Sequence, residues 1–133
     1  MVAGPLWDFD QAAGGSSDGG FTNYGPSGVW AAEDNAWFKD LMAIPEFRQL
    51  VSVRWKEIRD REVREMINEA RRIAEIYEAC FIRNFTVPGY YRPGDQFWRV
   101  PPSVTAIRTY MGQVDYLINW FELRIVWMDG FLQ

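Results

Sequence analysis

Two carboxylates stand two residues apart in Gly4-Pro5-Leu6-Trp7-Asp8-Phe9-Asp10, at the end of a short apolar run and just before a stretch rich in Gly and Ser. In an extended backbone, residues i and i+2 point to the same side, so Asp8 and Asp10 project together. Like charges this close recruit a cation or force one group to keep its proton. Oxygen-only donors suit Mg2+ or Mn2+, and Mg2+ takes one or two protein carboxylates and completes its shell with phosphate and water. The chemistry on offer is a metal–phosphate site. The alternative is a polar turn after a strand, where Asp is common.

Composition narrows what else the chain can do. At 133 residues it fits one domain with a real core. Apolar residues make up 48% and charged residues 24%, which is a globular balance. The net charge of −4 argues against nucleic acid, which needs clustered Lys and Arg. With no His, the chain itself has no Ser-His-Asp or Cys-His catalysis and no His metal ligand. Cys80 is the sole cysteine, so an intrachain disulfide and a Cys-based zinc site are excluded. No run of about 18 apolar residues offers a membrane span. Aromatic residues reach 17%, with seven Trp, which implies a ring-rich core or rings that meet a partner.

The elements that must position the acidic pair follow it. Residues 1–30 read as a strand or turn carrying Asp8 and Asp10, then a Gly-rich loop; residues 31–133 read as a helical domain. The loop at 11–29 is long enough to be a lid or a disordered connection. Asp34 or Asn35 can cap a short helix through Trp37, Phe38 and Leu41. Pro45 then suits the first turn of a second helix, with Phe47, Leu50, Val51, Arg54, Trp55 and Ile58 on one face. Arg54, inside that stripe, is expected to snorkel or to pair with a carboxylate. Asp60 is expected to break and recap the chain. A third helix carries Val63, Ile67, Ala70, Ala74, Tyr77 and Phe81, with Cys80 as a small buried residue and mixed charges on a solvated face.

Residues 84–102 hold Pro88, Pro93, Pro101 and Pro102 and cannot be one helix. Their rings, Tyr90, Tyr91, Phe97 and Trp98, are expected to anchor the loop on the bundle; stacking on a ligand is the alternative. Ser103 is expected to cap a last helix with Val104, Ile107, Met111, Val114, Ile118, Phe121, Ile125 and Met128 in one stripe and Tyr110, Leu117, Trp120 and Trp127 in another. Two apolar stripes imply packing on two sides, at the centre of the bundle, with Gly130 as the stop. Arg124 on this helix pairs with a carboxylate or lies in solvent. Apolar area left uncovered would make the isolated chain self-associate.

These segments taken in order resemble the CotH (spore-coat protein H) kinase family. The carriers are Gly4-Pro5-Leu6-Trp7-Asp8-Phe9-Asp10 with its Gly-rich loop, Ile44-Pro45-Glu46-Phe47, Arg54-Trp55 with Ile58-Arg59, and Trp120-Phe121-Glu122-Leu123-Arg124-Ile125-Val126-Trp127-Met128-Asp129. The resemblance implies the mainly helical, C-terminal lobe of an atypical kinase-like fold, about four helices behind a short strand. It implies phosphoryl transfer from ATP to Ser or Thr of spore-coat or cell-surface proteins. Asp8 would ligate the Mg2+ (or Mn2+) that bridges the ATP phosphates, with Asp10 as second ligand or orienting partner; the two are the expected catalytic residues. A Lys on the phosphates and an Asp for the acceptor hydroxyl have no match here. The chain is therefore expected to be a C-terminal fragment, inactive alone. A non-catalytic binding or adhesion module, or a purely structural bundle, is the competing expectation.

Overall fold

The computed structural model describes residues 36–96 and 100–133, together with Ala13 and residues 25–27. Among the described residues the regular elements are all helical. Helix α1 spans Ala36–Met42 and α2 spans Pro45–Ile58; a π-helical turn at Arg59–Val63 leads into α3, Arg64–Ile76. Helix α4 spans Glu78–Asn84, the one-turn α5 spans Pro102–Thr105, and α6 spans Tyr110–Phe131. The mainly helical bundle expected from periodicity is what the chain forms. The strand or turn and Gly-rich loop at 1–30 and the cap at Asp34 or Asn35 lie outside the described residues.

Local chemistry accounts for most of the boundaries. Pro45 sits in the first turn of α2, where its missing N–H costs nothing. Helix α6 begins later than its apolar pattern suggests. Its cap is Thr109, whose hydroxyl accepts from Gly112 N at 3.1 Å, and not Ser103. Val104 lies in α5 and Ile107 in the link between α5 and α6, because Pro101 and Pro102 start a separate turn. Gly130 does not stop α6; the helix runs through it to Phe131. The expected third helix is divided at Tyr77, whose φ of −101° and ψ of 11° leave the α region. The expected break at Asp60 is a continuous π turn instead. In the loop after α4, Gly94 adopts φ +89°, a left-handed conformation that calls for Gly.

The π turn has a packing reason. Trp55 and Val63 both pack on the buried cluster Ile67, Ile118 and Ile125, with Ala70, Val114 and Phe121 around it. They are eight residues apart, a step that leaves two side chains roughly 80° out of line on a plain α-helix. A π turn holds more residues, so it takes up part of that offset and keeps both on the side of α6. A second cluster, Met42, Met128 and Leu132, joins α1 to the end of α6, with Phe47, Val51, Trp55, Trp127 and Phe131 against it. Trp55 touches both clusters.

Helix α6 contacts α3 and α4, and its C-terminal half reaches α2 through these clusters. Ile118, Ile125 and Met128 of the first expected stripe are buried. Two arginines on what the sequence presents as the solvated face of α3 reach across to α6: Arg64 pairs with Glu122, and Arg71 with Asp115 at 3.1 Å. Leu123 and Val126, in neither stripe, face outward at 48% and 69% exposure. Cys80 is exposed rather than buried. Arg54 is exposed and pairs with Glu57 one turn on, at 3.0 Å. Tyr90 and Tyr91 are exposed and do not enter the core, while Phe97 and Trp98 lie outside the described residues. No helix among the described residues is long and apolar enough to cross a membrane.

Candidate functional site

Asp8 and Asp10, the residues expected to do the chemistry, lie outside the described residues. The structure does describe the residues of the two helices that the family-like segments single out, and it brings them together. Asp129, near the end of α6, receives two donors from α2 and the π turn: Trp55 Nε1 at 2.7 Å and Arg59 Nη1 at 2.9 Å, both to Oδ1. Arg59 also grips Asp60 with both arms of its fork, Nε to Oδ1 at 2.7 Å and Nη2 to Oδ2 at 2.9 Å. The hydrogen bonds that Arg59 donates to Asp60, and then to Asp129, raise its pKa well above the ordinary value, and the bond it donates to Asp60 lowers that of the carboxyl. Trp55, Arg59 and Asp129 thus form a clasp that fixes the end of α6 against α2. Sequence spacing brought their segments to notice, but a contact across 74 residues has no local signal.

A second arrangement runs along one side of α6. Trp120, Arg124, Trp127 and Phe131 recur at helical spacing. The Arg124 guanidinium lies 4.2 Å from the Trp127 ring centre and 5.9 Å from that of Trp120. Trp127 and Phe131 stack with centroids 4.9 Å apart and planes 9° apart. Arg48 of α2 covers Phe131 at 5.4 Å and donates to its carbonyl at 2.9 Å. Cations and rings alternate here, each cation over a π face. Arg124 is half-buried, not solvated, and burial lowers its pKa, though an arginine keeps its charge.

Arg124 also reaches beyond the bundle. Its Nη1 donates to the carbonyl of Pro26 at 3.0 Å, across 98 residues. Pro26 belongs to the segment that follows the acidic pair, so α6 holds part of that segment directly. No carbonyl partner for Arg124 was legible in the sequence, because backbone acceptors carry no residue signature. Among the described residues no group of three His, Cys, Asp or Glu could hold a metal ion.

The arrangement is a helical lobe closed by a long C-terminal helix, clasped to the second helix at one end and tied to the segment behind the acidic pair at its middle. The chain belongs to the CotH kinase protein family, which it matches over residues 2–128. No curated protein and no solved structure matches it.

Proposed function

We propose that this chain supplies the metal-binding pair and the helical lobe of a CotH-like atypical protein kinase, which moves phosphate from ATP to Ser or Thr of spore-coat or surface proteins. The family match that runs through Asp8-Phe9-Asp10 to residue 128 is the observation that carries this reading. Asp8 is the metal ligand and Asp10 the second ligand or orienting partner. Two carboxylates in a chain without His are hard oxygen donors, a set that fits Mg2+ or Mn2+. Bound with ATP, such an ion neutralises charge on the phosphates during transfer. In an extended backbone Phe9 points opposite to the two Asp, so packing of its ring would fix their direction.

A Lys for the phosphates and an Asp for the acceptor hydroxyl have no match in these residues. The chain alone is therefore proposed not to transfer phosphate. Titration with Mn2+, followed by the loss of the free-ion resonance signal, tests the metal role: binding is expected for the chain and lost in Asp8→Ala and Asp10→Ala. Equal binding by all three would overturn it. Radioactive phosphate transferred from ATP to a Ser-rich acceptor by the chain, and abolished in Asp8→Asn, would overturn the proposed inactivity. Exposed Leu123 and Val126 support self-association of the isolated chain; a monomeric mass by light scattering at rising concentration would count against it. The exposed rings of Tyr90 and Tyr91 favour a second reading, surface binding without catalysis.

A further inference from the structure

We infer that the double turn after α4, with Tyr90, Tyr91 and Arg92 at its centre, is a docking surface for an acidic segment of another protein. The surface needs no metal at Asp8 and Asp10. Its shape is set by the chain itself. Val87-Pro88-Gly89-Tyr90 and Arg92-Pro93-Gly94-Asp95 are two Pro-Gly turns in succession. Each closes on a hydrogen bond from its fourth N–H to its first carbonyl, Tyr90 to Val87 at 3.4 Å and Asp95 to Arg92 at 2.9 Å. Gly89 and Gly94 take φ of +87° and +89°, as the third place of a type II turn requires, with Pro at the second. The Asp95 carboxylate also accepts from the Arg92 N–H at 2.9 Å. Tyr90 and Tyr91, between the two turns, are each 58% exposed, so the loop holds its shape without giving these rings to the core.

Charge is sorted to the same place. Every arginine from Arg54 to Arg72 has a carboxylate partner. Arg83, Arg92 and Arg108 are exposed, and among the described residues their guanidinium groups meet no carboxylate. From residue 83 to 108 the chain carries four Arg and one Asp, although its net charge is −4. Contacts bring the three arginines to one end of the bundle. Arg83 lies in the last turn of α4, Arg92 opens the second Pro-Gly turn, and the Arg108 side chain lies against Gly94 of that turn. Two residues beyond Arg108, Tyr110 packs on Phe81 and Phe85 of the α4 end, with ring centres 5.3 and 6.2 Å away. The guanidinium fork takes a carboxylate through two parallel bonds, which a lysine cannot do. Tyr and Arg are the side chains that carry binding energy in protein interfaces. A loop already held by its turns loses little freedom on docking. The acid on the rest of the chain repels a long polyanion, which leaves a short acidic segment as the occupant.

The test uses the 133-residue chain and a short, fluorescently labelled Glu-rich peptide, with anisotropy read at about 0.1 M salt, where charges more than about 10 Å away are screened. Binding is expected. Arg83→Gln, Arg92→Gln and Arg108→Gln together are expected to weaken it about tenfold, the combined size of three exposed charge pairs. Arg54→Gln, Arg61→Gln and Arg72→Gln together remove the same charge from arginines that already hold a carboxylate, and are expected to change it less than about twofold. Arg83→Gln with Arg92→Gln leaves the Arg108 contact with Gly94 in place and is expected to weaken binding about fivefold, which guards against a disturbed turn. Tyr90→Ala with Tyr91→Ala is expected to cost about fivefold as well. Absence of peptide binding, or binding unchanged in the first triple variant, would overturn the docking surface. Equal losses in the two triple variants would reduce the effect to net charge and overturn it too. A sulfated polysaccharide held by the same three arginines while the peptide is not would replace the protein partner with another class of ligand. Because no metal enters these measurements, their failure leaves the Mn2+ test of Asp8 and Asp10 untouched.

Discussion

Replacing Trp55 by Phe tests the clasp at the end of α6 with little other disturbance. The substitution keeps an aromatic ring between the two apolar clusters and deletes the Nε1 donor, which stands 2.7 Å from Asp129 Oδ1. A hydrogen bond to a charged group contributes about 1.5–3 kcal/mol. Asp129 keeps Arg59 at 2.9 Å, and its side chain is 33% exposed, so water can take the vacated lone pair. Discounting for that solvent, the expected loss is about 1–2 kcal/mol. For a chain of this size the corresponding fall in Tm is about 3–8 °C. Urea unfolding followed by far-ultraviolet circular dichroism measures it, and a double-mutant cycle with Asp129→Ala isolates the pair. A coupling of about 1 kcal/mol is expected; effects that add to within about 0.5 kcal/mol would show that the two side chains do not depend on each other, and the reasoning would fail.

Ile125, only 4% exposed within its cluster, should lose about 3–4 kcal/mol on truncation to Ala, and half-buried Phe121 about 2–3 kcal/mol; an equal or reversed order in urea would contradict the packing described. Asp60, Glu62 and Glu69 are held below their ordinary pKa values of 3.8, 4.5 and 4.5 by hydrogen bonds from Arg59, Arg61 and Arg72. The folded chain thus binds fewer protons than the unfolded one in acid, so their stabilisation is present above the unfolded values and lost as pH falls through the folded ones. Stability should be flat above about pH 5 and decline below it, and a urea midpoint unchanged down to about pH 3 would refute this. Cys80, exposed on α4, should react fully with an aromatic disulfide reagent in the native state; a thiol that reacts only in denaturant would place it in the core.

Periodicity made the helices legible because burial of one face is a repeating signal. Ile67, Ala74, Ile118, Ile125 and Met128 could each be placed by counting threes and fours, and each is buried. Capping was less legible. Ser103 and Thr109 are both competent caps, and the choice fell to Thr109 because Pro101 and Pro102 spend Ser103 on a separate turn. Cys80 shows the limit of composition, since a residue type that is usually buried carries no information on which way its helix faces. The cross-helix pairs were present as a pattern that a single helix cannot reveal. Arg64 and Arg71 are seven residues apart on α3, as Asp115 and Glu122 are on α6, so antiparallel packing matches both pairs at once. The acidic pair was read from spacing and resemblance alone. Arg124 could be located on its helix but its hold on Pro26 could not, because that acceptor is backbone.

The π turn at Arg59–Val63 also marks where this chain can change length. With one residue fewer there, the positions now at 55 and 63 would be seven apart, which on a plain α-helix leaves them roughly 20° out of line. Both apolar stretches would still face α6, now on an unbroken rod. The same deletion in the middle of α6 would swing everything beyond it by about 100° and turn Asp129 away from Trp55. Single-residue insertions and deletions between members of the family are therefore expected to collect at the π turn and to avoid the last helix.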